Sequence, residues 1–128
     1  AKSATFIEKN RLAQKNLAEN LQILAKNPEA GEAKLIRAGV SGWLNSTESQ
    51  FELGEISELP TFDIIFADPP YYDPQFPTIE KLAERLKSGG IFVLSQPKEL
   101  EDFEVENLTP ISSKIYAGAK IIIFRKTL

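Results

Sequence analysis

The sequence lacks cysteine and histidine altogether. Without cysteine the chain can form no disulfide, thiol nucleophile or thiolate metal site. Without histidine, imidazole catalysis and most zinc sites are excluded as well. We therefore expect no metal site, and any chemistry must rest on carboxylates, hydroxyls, amides and aromatic rings. A cytoplasmic location is the expectation for a chain that needs no disulfide.

Long apolar runs and an excess of positive charge are also missing. No stretch of the chain approaches the ~18 consecutive apolar residues of a membrane span, so we expect no membrane association. The formal net charge is −3, and the Lys and Arg side chains are scattered among Glu residues on predicted helix faces. RNA-binding proteins usually carry a basic surface. We therefore do not expect this chain to hold RNA by itself.

The pattern of apolar residues predicts an α/β fold in one domain of 128 residues. Strands are predicted at residues 5–7, 35–38, 62–67, 91–94, 111–116 and 120–124. Helices are predicted at 11–26, briefly around 43–44, and through 79–86 with a stop at Gly89-Gly90, while 45–60 is mainly a connection. The run Ile64-Ile65-Phe66 is typical of a strand covered on both faces. The order predicts helices on both sides of a sheet that ends in an antiparallel hairpin.

The most informative feature is Asp68-Pro69-Pro70-Tyr71, which directly follows the apolar run 62–67. Two adjacent prolines fix their φ angles near about −65° and carry no N–H, so this turn offers carbonyl acceptors without competing donors. A carboxylate acceptor lies on one side of the prolines and a flat ring on the other. That combination suits the exocyclic amine of a planar base. It predicts amino-group methylation of a nucleobase, with Asp68, Pro69, Pro70 and Tyr71 as the catalytic residues.

The surroundings of this turn resemble a known family. Residues 62–71, the pair Gly89-Gly90 and the strand 91–94 resemble the DPPY amino-methyltransferases, which use S-adenosylmethionine. Within that class, residues 4–10 and Tyr116-Ala117-Gly118 resemble the RsmD-type enzymes, which methylate a guanine N2 in small-subunit ribosomal RNA. The resemblance implies a Rossmann-like class I methyltransferase sheet, S-adenosylmethionine as cofactor, and ribosomal RNA or the small ribosomal subunit as partner.

The chain departs from the family pattern before Glu8. Such methyltransferases begin with a strand and a glycine-rich turn that cradles the cofactor, and no glycine of this chain stands in such a turn. Two explanations are open: a C-terminal fragment of the catalytic domain, or an intact small protein that has lost cofactor binding. We expect a fragment that lacks the first strand. Such a sheet would expose unpaired edges beside strands 5–7 and 62–67, through which it could associate.

The resemblance implies cofactor contacts at Glu8, Lys9, Gly39, Val40 and Asp68. Glu8 ends the first strand, where an acid accepts hydrogen bonds from ribose hydroxyls in the family. At the end of the next strand many relatives use an Asp or Asn to read the adenine amine. Here Gly39 stands at that place, so only the backbone of Gly39 and Val40 could substitute.

Substrate contacts are predicted at Tyr71, Tyr72, Phe76 and Gln96. Tyr71 would stack on a flipped base, and Tyr72 could help. Phe76 could line the base pocket or serve equally well as a hydrophobic plug. Gln96 follows the strand 91–94 at a carboxyl end, where α/β proteins bind ligands.

In this scheme the Asp68 carboxylate accepts one N–H of the target amine and the Pro69 carbonyl accepts the other. No strong general base is needed, because the nitrogen becomes acidic only as the methyl bond forms. The same turn would serve N6-adenine methylation of RNA or DNA, which is one alternative. The other alternative is a non-catalytic fragment or remnant that no longer binds the cofactor.

Overall fold

The computed structural model describes residues 2–127, and its secondary structure alternates strands and helices before it ends in a hairpin. The elements are β1 (Ser3–Ile7), α1 (Arg11–Leu24), β2 (Glu32–Ile36), α2 (Val40–Glu52), β3 (Phe62–Ala67), α3 (Phe76–Ala83), β4 (Leu86–Pro97), β5 (Leu108–Tyr116) and β6 (Ala119–Lys126). The chain divides into two compact units, the first running to Ser49 and the second beginning at Gln50. A single domain stays a prediction. None of the helices within residues 2–127 has the length and apolar character needed to cross a membrane.

The first unit contains a two-stranded parallel sheet. β1 pairs with β2, with Ser3 opposite Glu32 and Ile7 opposite Ile36. Helix α1 connects the two strands and is capped at its start by Asn10, whose side-chain oxygen accepts a hydrogen bond from the Ala13 N–H at 3.0 Å. Because the strands are parallel, their carboxyl ends lie at the same edge. Glu8 and Gly39 therefore follow the strands on that side.

Helix α2 is longer than the sequence predicts. The segment 45–60 was expected to be mainly a connection, which is wrong for 45–52 because these residues continue the helix. The sequence did not indicate this because residues 45–50 are polar and show no helical spacing of apolar residues, although Thr47 is buried in the structure. The Thr47 hydroxyl bonds to the backbone oxygens of Trp43 and Leu44 at 2.9 and 3.0 Å, so the helix itself satisfies it. Trp43 is 8% exposed, as expected for a core residue.

The second unit contains a four-stranded sheet in the order β3-β4-β6-β5. β3 runs parallel to β4, and β6 pairs antiparallel with both β4 and β5. This confirms an α/β fold with parallel strands and an antiparallel C-terminal hairpin. One face of the sheet forms a core with α3 and the segment before β5: Ile65, Ile79, Ala83, Leu86, Phe92, Leu94, Val105, Leu108, Ile122 and Phe124.

Helix α3 ends earlier than predicted, and the predicted stop at Gly89-Gly90 is wrong. Leu86 already pairs with Phe62 as the first residue of β4. The Lys126 ammonium donates to the backbone oxygens of Ala83 at 3.4 Å and Leu86 at 2.7 Å, which satisfies the end of the helix from a distant strand. Gly90 lies inside β4, where an added Cβ would come within 2.8 Å of the Asp63 backbone oxygen.

The strand β3 is covered on one face only. Ile65 is buried, whereas Ile64 and Phe66 are 54% and 78% exposed, so the predicted cover on both faces is wrong for the described structure. Within residues 2–127, β3 pairs only with β4 and β1 only with β2. Each of these two strands therefore has one edge with unpaired backbone groups.

Candidate active site

The Asp68–Tyr71 turn leaves the sheet at the carboxyl end of β3. Ala67, the last residue of β3, pairs with Leu94 of β4. The Asp73 N–H donates to the Pro70 carbonyl at 3.0 Å, which closes a β-turn at residues 70–73 directly after the two prolines. Asp68 is exposed, and within residues 2–127 its carboxylate makes no hydrogen bond or ion pair. Both of its oxygens are thus available as acceptors.

The two tyrosines that follow the prolines differ in exposure and in hydrogen bonding. The Tyr71 hydroxyl lies 2.9 Å from the Ser95 Oγ on β4, and the side chain is 42% exposed. Tyr72 is 91% exposed and makes no hydrogen bond among the described residues. The structure therefore holds one ring at its tip and leaves the other in solvent. Ser95 was missed by sequence reasoning, and the only available signal was its place at the carboxyl end of the neighbouring strand.

Phe76, at the start of α3, lies against another aromatic residue. Its ring stacks on Phe103 with centroids 4.2 Å apart and planes 11° apart, and it packs against the core of the second unit. This packing favours the hydrophobic-plug interpretation over a pocket lining.

Gln96 is fully buried, with 0% of its surface exposed. Its amide nitrogen donates to the backbone oxygens of Leu100 at 3.3 Å and Glu101 at 2.9 Å, and its oxygen accepts from the Phe103 N–H at 3.1 Å. These bonds commit the side chain to the segment after β4. The structure therefore argues against the predicted substrate contact, because a strand's neighbouring residues point to opposite faces and Gln96 points into the core.

The predicted cofactor contacts of the first unit gather at one edge of its sheet. Glu8 is half-buried; its Oε1 accepts from the Asn10 N–H at 3.1 Å, and its backbone oxygen accepts from Gln14 Nε2 at 2.7 Å. A Cβ added to Gly39 would lie 3.9 Å from the Lys9 side chain. Val40 begins α2 directly after Gly39. Asp68, also predicted to contact the cofactor, belongs to the second unit.

A cavity of about 460 Å³ lies against the first unit's sheet, and it is lined by Ser3, Ala4, Thr5, Glu32, Ala33 and Lys34. These residues occupy the amino-terminal halves of β1 and β2, away from Glu8 and Gly39. The cavity therefore does not coincide with the predicted cofactor contacts.

Comparison with known proteins adds the following relatives. An uncharacterised methylase of Rickettsia prowazekii (strain Madrid E) is 34% identical over 68 residues, which cover 50% of this chain and 28% of that protein. A candidate methylase of Haemophilus influenzae with a crystal structure is 24% identical, with a TM-score of 0.78 over 100% of this chain and 74% of that one. A candidate methyltransferase crystallised with S-adenosylhomocysteine is 13% identical, with a TM-score of 0.69 over 98% of this chain and 39% of that one.

These relationships differ in what they establish. The two structural neighbours are less than 25% identical and show a shared fold. The chain spans 28% of the length of the curated relative that it matches. The family described as conserved hypothetical protein 95 matches residues 1–125, which is nearly the whole sequence. The chain therefore belongs to the conserved hypothetical protein 95 family.

Proposed function

We propose that this chain acts in S-adenosylmethionine-dependent methyl transfer to the exocyclic amine of a nucleobase. The best-supported target is a guanine N2 in small-subunit ribosomal RNA, with the small subunit as partner. The observation that carries the proposal is the turn after β3, which joins an unpaired carboxylate at Asp68 to a tethered ring at Tyr71. The resemblance of residues 62–71 to the DPPY class supplies the reaction type.

The chemistry follows from the acceptors of this turn. The lone pair of an aromatic amine is delocalised into its ring, which makes the nitrogen a poor nucleophile. If Asp68 accepts one N–H and the Pro69 carbonyl accepts the other, the nitrogen is favoured in a tetrahedral form with its lone pair free. Tyr71 stacks on the base and holds it in line. The amine proton would leave only as the new bond forms, passing to the Asp68 carboxylate or to solvent, so these residues need no strong base.

The residues of the first unit fit the cofactor, which supplies an electrophilic methyl group when bound. The Glu8 carboxylate has one oxygen beyond the one bonded to Asn10, and it can accept from ribose hydroxyls. The backbone at Gly39 carries no side chain that would obstruct a planar base. Lys9 and Val40 flank these two positions. The fold shared with a methyltransferase crystallised with S-adenosylhomocysteine agrees with this assignment.

One observation favours a second candidate, a non-catalytic domain. Gly39 stands where many relatives use an acid or amide to read the adenine amine. N6-adenine methylation is a closer alternative, since the same turn would accept either amine. Overall family similarity leans toward guanine.

Calorimetric titration with S-adenosylhomocysteine separates the enzyme from the non-catalytic domain. We expect micromolar binding that is lost in Glu8→Ala, because ribose hydroxyls lose their acceptor. Glu19→Ala removes an exposed acid from α1 in the same unit and should bind as the unchanged protein does. A folded sample without detectable binding would support the non-catalytic alternative.

Methyl transfer to an unmodified small-subunit ribosomal RNA transcript tests the role of Asp68. Asp68→Asn replaces an acceptor oxygen by an NH₂ donor, and we expect kcat to fall about 10²- to 10³-fold, as when one preorganised polar group is lost. Asp73→Asn changes another exposed acid of the same loop and should stay within about 3-fold of the unchanged protein. Equal losses in the two variants would contradict the assignment.

A further inference from the structure

Two neighbouring residues of β4 hold opposite ends of the segment 71–76. Ser95 meets the Tyr71 hydroxyl at 2.9 Å, at the start of the segment. Gln96 points to the other face and binds the backbone of Phe103, whose ring stacks on Phe76 at the end of the segment. Leu94, the residue before this pair, is fully buried. The loop that carries the tyrosines is therefore fastened to the core strand of the second unit on both faces.

We infer that Ser95 is a positioning residue that fixes the Tyr71 ring for stacking on the target base. The inference rests on the proposed function and adds a residue to it. A tyrosine ring turns about two side-chain bonds. The hydroxyl oxygen lies on the axis of the second bond, so a hydrogen bond at the tip restricts rotation about the first bond and thereby fixes where the ring lies. Tyr71 is held in this way while 42% of its surface stays open, whereas Tyr72 is 91% exposed and unheld within residues 2–127. The ring that stacks is therefore Tyr71.

The cost of stacking falls when the ring is already ordered. Immobilising a free side chain on binding is unfavourable, and preorganisation removes that penalty before the base arrives. Ser95 is suited to the task because its hydroxyl can donate or accept, and because it sits on a strand whose neighbours Leu94 and Gln96 have no exposed surface. The same bond could merely anchor the loop, so the test must separate the two roles.

A double-mutant cycle on the full chain makes that separation. Ser95→Ala and Tyr71→Phe each remove one hydroxyl of the same bond, and the phenylalanine keeps a ring able to stack. With labelled S-adenosylmethionine and the unmodified small-subunit ribosomal RNA transcript, we expect each variant to lower kcat/KM about 3- to 10-fold, the worth of one net hydrogen bond. The double variant should lose no more than either single one. Ser95→Thr retains the hydroxyl and should restore the rate.

Two controls and one direct measurement complete the design. Ser113→Ala and Tyr116→Phe make the same chemical changes at exposed positions of β5 and should leave the rate unchanged. NMR signals of the three tyrosine rings are compared in the free protein. Ser95→Ala should shift and mobilise the Tyr71 ring alone, while affinity for S-adenosylhomocysteine stays constant. A loss of rate in Ser95→Ala that comes with these NMR changes and is restored in Ser95→Thr supports a role for Ser95 in positioning the Tyr71 ring.

The opposing outcomes are distinct. If the unchanged protein transfers methyl groups and Ser95→Ala is equally active, the inference is overturned and the proposed function stands. Additive losses in the double variant overturn it as well, because the two hydroxyls would then act independently. If the unchanged protein transfers no methyl group, the proposed function is overturned, and the inference with it.

Discussion

The two units of this chain differ in how their strands are covered. β1 and β2 of the first unit contain no buried residue, and the burial there lies on the helices, at Gln14 of α1 and at three residues of α2. The second unit instead buries a continuous core between one sheet face and α3. Two-stranded sheets are only marginally stable by themselves. The residues proposed to hold the base therefore lie on the unit with the larger buried core, which we call the firmer unit. Those proposed to bind the ribose lie on the unit with less burial.

Removal of a core ring gives the largest expected contrast between the units. Phe92 of β4 is 0% exposed, and Phe92→Ala should lower the free energy of unfolding by about 3–5 kcal/mol. Phe6 of β1 is 37% exposed, so Phe6→Ala should cost about 1.5 kcal/mol or less. Urea unfolding followed by far-UV circular dichroism measures both changes. Equal costs would mean that the first unit has a core as firm as the second.

Glycine substitution should have opposite signs in the two units. In β4, a Cβ at Gly90 would lie 2.8 Å from two backbone oxygens, so Gly90→Ala should destabilise by about 1–3 kcal/mol. In α2, no atom lies within 4 Å of a Cβ added to Gly42, and Gly42→Ala should stabilise the helix by up to about 1 kcal/mol. Thermal melting curves report both signs. Stabilisation by Gly90→Ala would show that β3 and β4 can separate locally.

The two buried glutamines allow a matched polar comparison. Gln96 makes three hydrogen bonds to backbone groups, whereas Gln14 makes one, to the Glu8 oxygen at 2.7 Å. Gln96→Ala should cost about 1–3 kcal/mol because it removes three part-buried hydrogen bonds, and Gln14→Ala about 0.5–1.5 kcal/mol because it removes one.

Hydrogen exchange locates each of these losses. Gln96→Ala should speed exchange in residues 98–103, and Gln14→Ala should speed it around Glu8. Faster exchange across the whole chain in Gln96→Ala would indicate that this residue supports the fold rather than the loop.

Sequence reasoning succeeded where one local signal dominated. Strand β3 was predicted with its observed bounds because residues 62–67 are apolar except for Asp63 and lie between Pro60 and the Asp68-Pro69 turn. The end of α3 was not, because Leu86 stands at helical spacing from Leu82 yet pairs with Phe62. The Lys126 side chain that donates to the Ala83 oxygen at the helix end comes from 43 residues away, and no local pattern contains that information.

The same limit applies to the candidate site. The Asp68–Tyr71 turn is visible in the sequence because the four residues proposed to hold the base are adjacent. Ser95 is 24 residues from Tyr71, so their hydrogen bond depends on the pairing of β3 with β4. The position of Gln96 at a strand end suggested a ligand contact, but the alternation of strand side chains turns it into the core. One position along β4 therefore separates Ser95, which bonds to Tyr71, from Gln96, which is buried in the core.

The smallest expected effect concerns the hairpin that closes the second unit's sheet. Ala117 has a φ of 54°, a left-handed conformation that costs a residue with a Cβ about 1 kcal/mol. Ala117→Gly should therefore stabilise the protein slightly, by about 0.5–1 kcal/mol. Ala119→Gly makes the same change inside β6, opposite Tyr116, and should destabilise by a similar amount, because strand glycine gains no relief of strain. A higher melting temperature for Ala117→Gly and a lower one for Ala119→Gly would show that the left-handed turn at Ala117 is strained. Lower melting temperatures for both would mean that the chain entropy of glycine outweighs that strain.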